Sequence, residues 1–415
     1  MKITLVPNTD SFYDRKQLKN FASAFQAMGC EAIALDNPIK SHPNSICEDL
    51  QESKEKTQIK YENIETDVLL EVNRIRNIKL RKKIRHICWF QDLKPSEMKP
   101  ILEYGEIKKQ GDLIYLLGDK KHFGLSSAKI QMGSLLSGLT EEECEFNRST
   151  KPSESIDVNL LGYLPPFNKK KQGIKRNISR QKVLMGEIVR RPKLIFEILL
   201  RKKWHINIGD FENTEFFQST LAYIDKNFEP LSGTMIPWHV IQPKNTIDSL
   251  IYDLLYAEQP RWVDRMVLFH ILRTLFKNGK KVLIAGSNWK SSFPDCDFIQ
   301  EHCENPLDIF RQSAITLHNN THGIGIHSRV LEAMAAGSFI MMHASPCSHL
   351  PGGIDSSFEP ELHYGLYSAN NLAEKVEYWL AHSSQRQKAT KDCHNILRAR
   401  HLWRHRASQI LGDLA

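Results

Sequence analysis

The sequence predicts an α/β protein of two doubly wound, Rossmann-like domains facing each other across a cleft. Three observations predict it. Short apolar runs ending in polar residues alternate with stretches of helical periodicity, the pattern of parallel strands joined by crossover helices. That alternation starts twice, at Lys2 and again at Asp157. The 415 residues also have the length of two domains, or three, at about 100–200 residues each.

Lys2–Pro7 reads as a buried strand, Arg15–Met28 as an amphipathic helix stopped by Gly29, and Glu31–Leu35 as the next strand. Residues 40–61 are polar, a surface excursion. Asp67–Asn73, Ile84–Asp92 and Asp112–Gly118 resume the strand pattern, and Asn8, Asp10, Asn73, Gln91 and Asp92 stand at carboxyl strand ends, where such sheets bind ligands. Asp157–Pro166 opens the second half. Asn245–Lys277 has helical spacing and ends at Gly279; Lys281–Gly286 is a strand entering a glycine turn, and Ala314–His318 is another strand. Arg329–Ala336 is a helix closed by Gly337, Phe339–Met342 a strand, Asn371–Leu380 and Gln385–Arg398 helices, and the last twenty residues a terminal helix. The expected division is 1–154, then 155–395 with a basic helical insert at about 168–246, then 396–415.

Hydrophobic residues at 41% and charged residues at 25% exclude a disordered or fibrous chain. No apolar stretch approaches the roughly 20 residues of a membrane-spanning helix, and Met1–Pro7 lacks a secretory pattern, so a cytoplasmic protein is expected. The eight cysteines include no CxxC pair and read as reduced thiols. The net charge of +8 is local: 13 Lys and Arg against two acids lie between Asn168 and Trp204, which leaves the rest of the chain slightly acidic. A solvated face is the default reading of that stretch, contact of 169–203 with an anionic membrane surface or a lipid-linked acceptor the next, and nucleic acid is not expected, because no aromatic residues interleave as stacking platforms. Asp295-Cys-Asp297 imitates a metal-binding pair but reads as turn residues, and no metal or other cofactor is expected.

The most informative stretch is Leu317–Met341, where a strand enters a loop with Gly323 and Gly325 and the loop opens a helix bearing Arg329 and Glu332. A helix amino terminus offers free N–H groups and a positive dipole end to a diphosphate. Arg329 adds a charge-assisted contact, and Glu332, one turn on, can accept from a ribose diol. Together they point to a nucleotide.

Arg329-Val-Leu-Glu-Ala-Met-Ala-Ala-Gly337 resembles the R-x-x-E-A-M-A-x-G run of GT-B glycosyltransferases, in particular the CgeB-like (spore-maturation-type) family. The resemblance extends through Asp264-Arg-Met, Gly279–Gly286, Ile309–Ala314, Asn371–Leu380 and His401–Arg406, and covers the chain from about Asp248 onward. It implies the GT-B fold, with a carboxyl-terminal helix returning to the amino-terminal domain. By the same resemblance Gly286 and Lys290 face the donor phosphates, while Arg329 and Glu332 hold phosphate and ribose. Ile324 stands where many retaining members carry a second acid eight residues before the glutamate. Gly325 and His327 complete the expected donor set, and His322 or His327, as an imidazolium, would hydrogen-bond the departing phosphate. A base from the amino-terminal domain would be Asp92 first and Asp10 second. The expected activity is metal-independent transfer of a sugar from a nucleotide-sugar to a glycan, lipid-linked or protein acceptor, in polysaccharide or glycoconjugate synthesis. The alternatives are a nucleotide-sugar epimerase or hydrolase, and a non-catalytic carbohydrate- or partner-binding member.

Overall fold

The computed structural model describes residues 1–8, 12–36, 64–73, 83–91, 112–123, 125, 132–145, 154–165, 215–233, 244, 248, 251–252, 259–301, 303, 305–319 and 324–415. The expected catalytic residues Asp10, Asp92 and His322, and the basic stretch 169–203, lie outside the described residues.

The first six strands are β1 (Lys2–Val6), β2 (Glu31–Ala34), β3 (Val68–Val72), β4 (Arg85–Phe90), β5 (Leu113–Leu116) and β6 (Met132–Ser134). They form one parallel sheet in the order β2-β1-β3-β4-β5-β6. The second sheet contains β7 (Ile156–Leu161), β8 (Val282–Ala285), β9 (Ile299–Gln300), β10 (Ser313–His318), β11 (Phe339–His343) and β12 (Gly365–Tyr367), in the order β12-β11-β10-β7-β8-β9. Its pairings are also parallel, with Ile315 opposite Val158 and Leu317 opposite Leu160. Strands such as β3 and β11 are buried throughout, as parallel strands covered on both faces must be. The short strands β6, β9 and β12 carry too little apolar sequence to announce themselves.

Helix α1 (Phe12–Ala27) follows β1, and its Leu18, Phe21, Ala22 and Phe25 form an i, i+3, i+4, i+7 stripe on the first sheet. The other described helices are α2 (Glu141–Cys144), α3 (Glu215–Asn227), α4 (Gln259–Lys277), α5 (Trp289–Ser292), α6 (Pro306–Gln312), α7 (Ser328–Ala335), α8 (Leu372–Ala381), α9 (Ser383–Arg400) and α10 (Trp403–Leu414). The expected terminal helix of residues 396–415 starts later, at Trp403, after a break at His401-Leu402, where Leu139 N donates to His401 O and Trp403 N donates back to Leu139 O. This exchange returns the chain to the first domain. There α10 packs on α1, and Trp403 sits with Phe21 and Trp89 at ring-centroid distances of 4.8 and 6.1 Å.

Among the described residues no helix is long and apolar enough to cross a membrane.

Candidate functional site

A doubly wound sheet binds ligands where its strand order reverses, because the helices on either side of that point leave in opposite directions and open a crevice. In the second sheet the reversal lies between β7 and β10, and in the first between β1 and β3.

Three arginines converge on the first of these points. Arg329, in the first turn of α7, donates from Nη1 to the Leu161 carbonyl at the end of β7 (3.3 Å). Arg265, on α4, is 6% exposed and lies beneath Gly162, whose missing side chain makes the room: a Cβ there would lie 2.5 Å from Arg265 Nη2. Arg261, one turn earlier on α4, donates to the Tyr163 hydroxyl and stands 5.7 Å from the Tyr163 ring centre. Burial, followed by the charges of Arg329 and Arg261, pulls the Arg265 guanidinium down to about 10. Its Nε and Nη1 are buried and have no hydrogen-bond partner. Burying a charged donor without an acceptor is costly, so an anion that reaches this guanidinium would gain strong hydrogen bonds.

Two histidines face each other beside the arginines, His318 at the end of β10 and His327 before α7, with ring centres 5.4 Å apart. His327 Nδ1 accepts from Arg329 N (3.2 Å) as the cap of α7. An imidazole that accepts at Nδ1 is neutral and keeps its proton on Nε2. Desolvation, then Arg329, Arg261 and Arg265, hold its pKa down to about 3. Burial and the neighbouring His327 and Arg265 likewise push His318 well below the usual imidazole range. The expected imidazolium at position 327 is therefore corrected to a neutral donor.

The cap also changes the expected phosphate seat. Arg329 N is bonded to the His327 ring and Val330 N to the His327 carbonyl, so two of the opening N–H groups of α7 are already engaged. Arg265 offers donors that are free.

Glu332, one turn after Arg329 on α7, lies near Tyr13 and Lys16 of α1 at the domain seam, and Lys16 pairs with Glu143 of α2 at 2.7 Å. Desolvation raises its pKa, opposed by Lys16. Gly286 approaches the β7 turn so closely that a Cβ would collide with the Gly162 carbonyl oxygen, and Trp289 Nε1 donates to that same oxygen (2.6 Å). Lys290 donates to the Cys296 carbonyl (3.2 Å). Gly325, at φ +65°, is packed on the first domain rather than set in an open loop, because a Cβ would collide with the Leu117 carbonyl oxygen.

Arg265, Arg261 and His318 were not among the residues expected from sequence to hold the donor. The signal for Arg265 was a charge on the buried phase of a helix, in step with Leu268, Phe269 and Leu272.

Behind this layer, Asp264 accepts from Leu231 N (2.6 Å) and Asn319 Nδ2 (3.0 Å), and Tyr367 donates to the His318 carbonyl (2.9 Å), fixing the strand end on which His318 stands. Among the described residues no group of three or more His, Cys, Asp or Glu could hold a metal ion.

Two parallel six-stranded sheets with a polar crevice at their reversal points define the GT-B fold of glycosyltransferases. A glycosyltransferase from Rickettsia africae ESF-5 superposes with a TM-score of 0.53 at 11% identity, covering 100% of this chain and 97% of that one. The sucrose-phosphate synthase of Thermosynechococcus elongatus gives 0.51 at 11% identity, covering 99% and 98%. Anabaena Alr3699/HepE in complex with UDP and glucose gives 0.52 at 8% identity, covering 99% and 98%. In sequence, residues 265–412 match the family described as "Glycosyl transferase-like". No curated protein matches the chain.

Proposed function

We propose that the protein is a glycosyltransferase that moves a sugar from a nucleotide-sugar to a glycan, lipid-linked or protein acceptor, with the donor's diphosphate against Arg265, Arg329 and Arg261. The observation that carries this reading is the buried Arg265 guanidinium with two unpartnered nitrogens at the β7/β10 reversal. Charge that develops on a departing nucleoside diphosphate would be met there by fixed guanidiniums, in place already and needing no reorganisation. The Nε2–H of the neutral His327 adds a donor. Three guanidiniums supply the countercharge that a metal ion supplies elsewhere, which favours metal-independent transfer.

In this reading Glu332 takes the ribose, Gly286 and Lys290 face the donor phosphates, and Asp92 or Asp10 supplies the general base. The Arg329–Gly337 run favours the CgeB-like family within this fold, and the protein acts in the cytoplasm in polysaccharide or glycoconjugate synthesis. The HepE complex makes UDP the first donor carrier to try.

A thermal-shift panel of UDP, GDP, CMP, dTDP and ADP tests the site. At a hundredfold excess over Kd a ligand stabilises by roughly 3 kcal/mol, so at least one diphosphate should raise the melting temperature while CMP does so weakly. Indifference to all five overturns the reading. Nucleotide release that depends on added acceptor marks transfer, and release without it marks hydrolysis.

A further inference from the structure

A line of hydrogen bonds crosses the crevice. It begins at Asn73, which follows β3 in the left-handed region (φ 53°) and whose Oδ1 accepts from Gln91 N at the end of β4 (2.8 Å). Gln91 Nε2 donates to Gln17 Oε1 on α1 (3.0 Å). Gln17 Nε2 donates to the Tyr13 hydroxyl, and the hydroxyl donates to Ser328 Oγ at the first residue of α7. Gln17 uses both ends of its amide and Tyr13 both functions of its hydroxyl, so the order of donors along the line is fixed. Gln17 is 7% exposed and Ser328 7% exposed, so a broken link would leave buried polar groups unpaired. Burial and the nearby Glu332 push the Tyr13 phenol up, so the hydroxyl keeps the proton it donates.

The line joins two places that matter. Asn73 flanks the reversal point of the first sheet, and Ser328 precedes the arginine that reaches the reversal point of the second. A second contact between the domains lies three strands further along the first sheet, at the end of β5. There Gly118 and Gly325 bring Leu117 and Ile324 together so closely that neither glycine could carry a Cβ without displacing its neighbour. That contact sets Gly118 against the Ile324 side chain and Gly325 against the Leu117 carbonyl, and leaves no room at either. The contact at Tyr13 is a side-chain hydrogen bond, easier to open than the apolar packing of Leu136, Leu139 and Cys144 with α7 and α9.

We propose that Tyr13 and Ser328 form a latch that sets the angle between the two domains, with Tyr13 acting as a positioning residue and the glycine contact at β5 as the fixed edge. Its value for transfer, alignment of acceptor with donor, rests on the function proposed above. The latch itself does not.

Small-angle scattering of the full chain without nucleotide tests it. Tyr13→Phe and Ser328→Ala should each raise the radius of gyration while far-UV circular dichroism stays unchanged. Because both cut the same bond, the double variant should expand no further than the larger single. A Gln17→Leu variant, one link upstream, should expand the molecule less. Scattering identical to wild type in both single variants, or additive expansion in the double, overturns the latch. The nucleotide panel is read separately: a chain that binds no nucleotide but still opens on Tyr13→Phe loses the proposed function and keeps the latch, and the reverse result does the opposite.

Discussion

The start of α4 and the start of α10 each bury an arginine. Arg265 is 6% exposed and Arg406 8%, and burial pulls each guanidinium down to about 10. Around Arg406 the chain has supplied acceptors on every side. Nε donates to the carbonyls of Leu136 (3.1 Å) and Ser137 (3.2 Å), Nη1 to that of Arg400 (2.9 Å), and Nη2 meets His401 Nδ1 (3.0 Å). Around Arg265 it has left Nε and Nη1 with nothing, and has added two further arginines. The difference separates a guanidinium that ties a linker to a domain from one whose donors are left open. Burial alone would not have told them apart.

The largest effect should come from Arg406→Met. It strands three backbone carbonyls at the domain linker, and losing about 3 kcal/mol of stability should lower the melting temperature by several degrees in calorimetry. Arg265→Met should do the reverse. Removal of an unpartnered buried charge leaves stability level or higher, while pyrophosphate affinity in titration calorimetry falls by roughly 10–100-fold, the worth of a hydrogen bond to a charged group. If both variants lose stability alike, the contrast between the two arginines fails.

Gly325→Ala comes next. It forces a side chain into positive φ against Leu117 and should cost about 1–3 kcal/mol, visible as earlier urea unfolding, whereas Gly412→Ala, at a helical glycine with nothing within 4 Å, should not. The smallest effect is at His327. Its native pKa of about 3 lies below the unfolded value of 6.5, so the unfolded chain takes up a proton first and stability is lost as pH falls from about 6.5 towards 3. His327→Asn, which keeps a capping side chain, should shrink the drop in melting temperature between pH 7 and pH 5. In the wild type, the His327 ring signal in NMR should not titrate between pH 8 and pH 5.

Much of the fold was legible because its determinants are local. β8 is an uninterrupted apolar run and β11 is one up to His343, β7 and β10 are mostly apolar, and Gly337 at φ +82° closes α7 as a helix-ending glycine does. Arg329 and Glu332 stand out in sequence by their place after a glycine loop; in the structure Arg329 reaches the Leu161 carbonyl, and Glu332 lies by Tyr13 and Lys16 at the domain seam. The rest depends on residues far apart in sequence. Arg265 matters because Gly162, about a hundred positions earlier, leaves it room. His327 is an unusual helix cap, and its neutrality comes from arginines on another helix. Spacing gave Gly325 to a phosphate loop, and only the approach of Leu117 shows it at the seam between domains.

The return of α10 carries a consequence for biosynthesis. The apolar cluster that Ile3 and Leu5 begin is completed by Trp403, Ala407, Ile410 and Leu414. A ribosome making this chain therefore releases a first domain whose sheet is ready but whose hydrophobic surface stays uncovered until the second has been translated. Chaperone demand should peak in that interval, and a nascent chain stalled before Trp403 should be the form that proteases find.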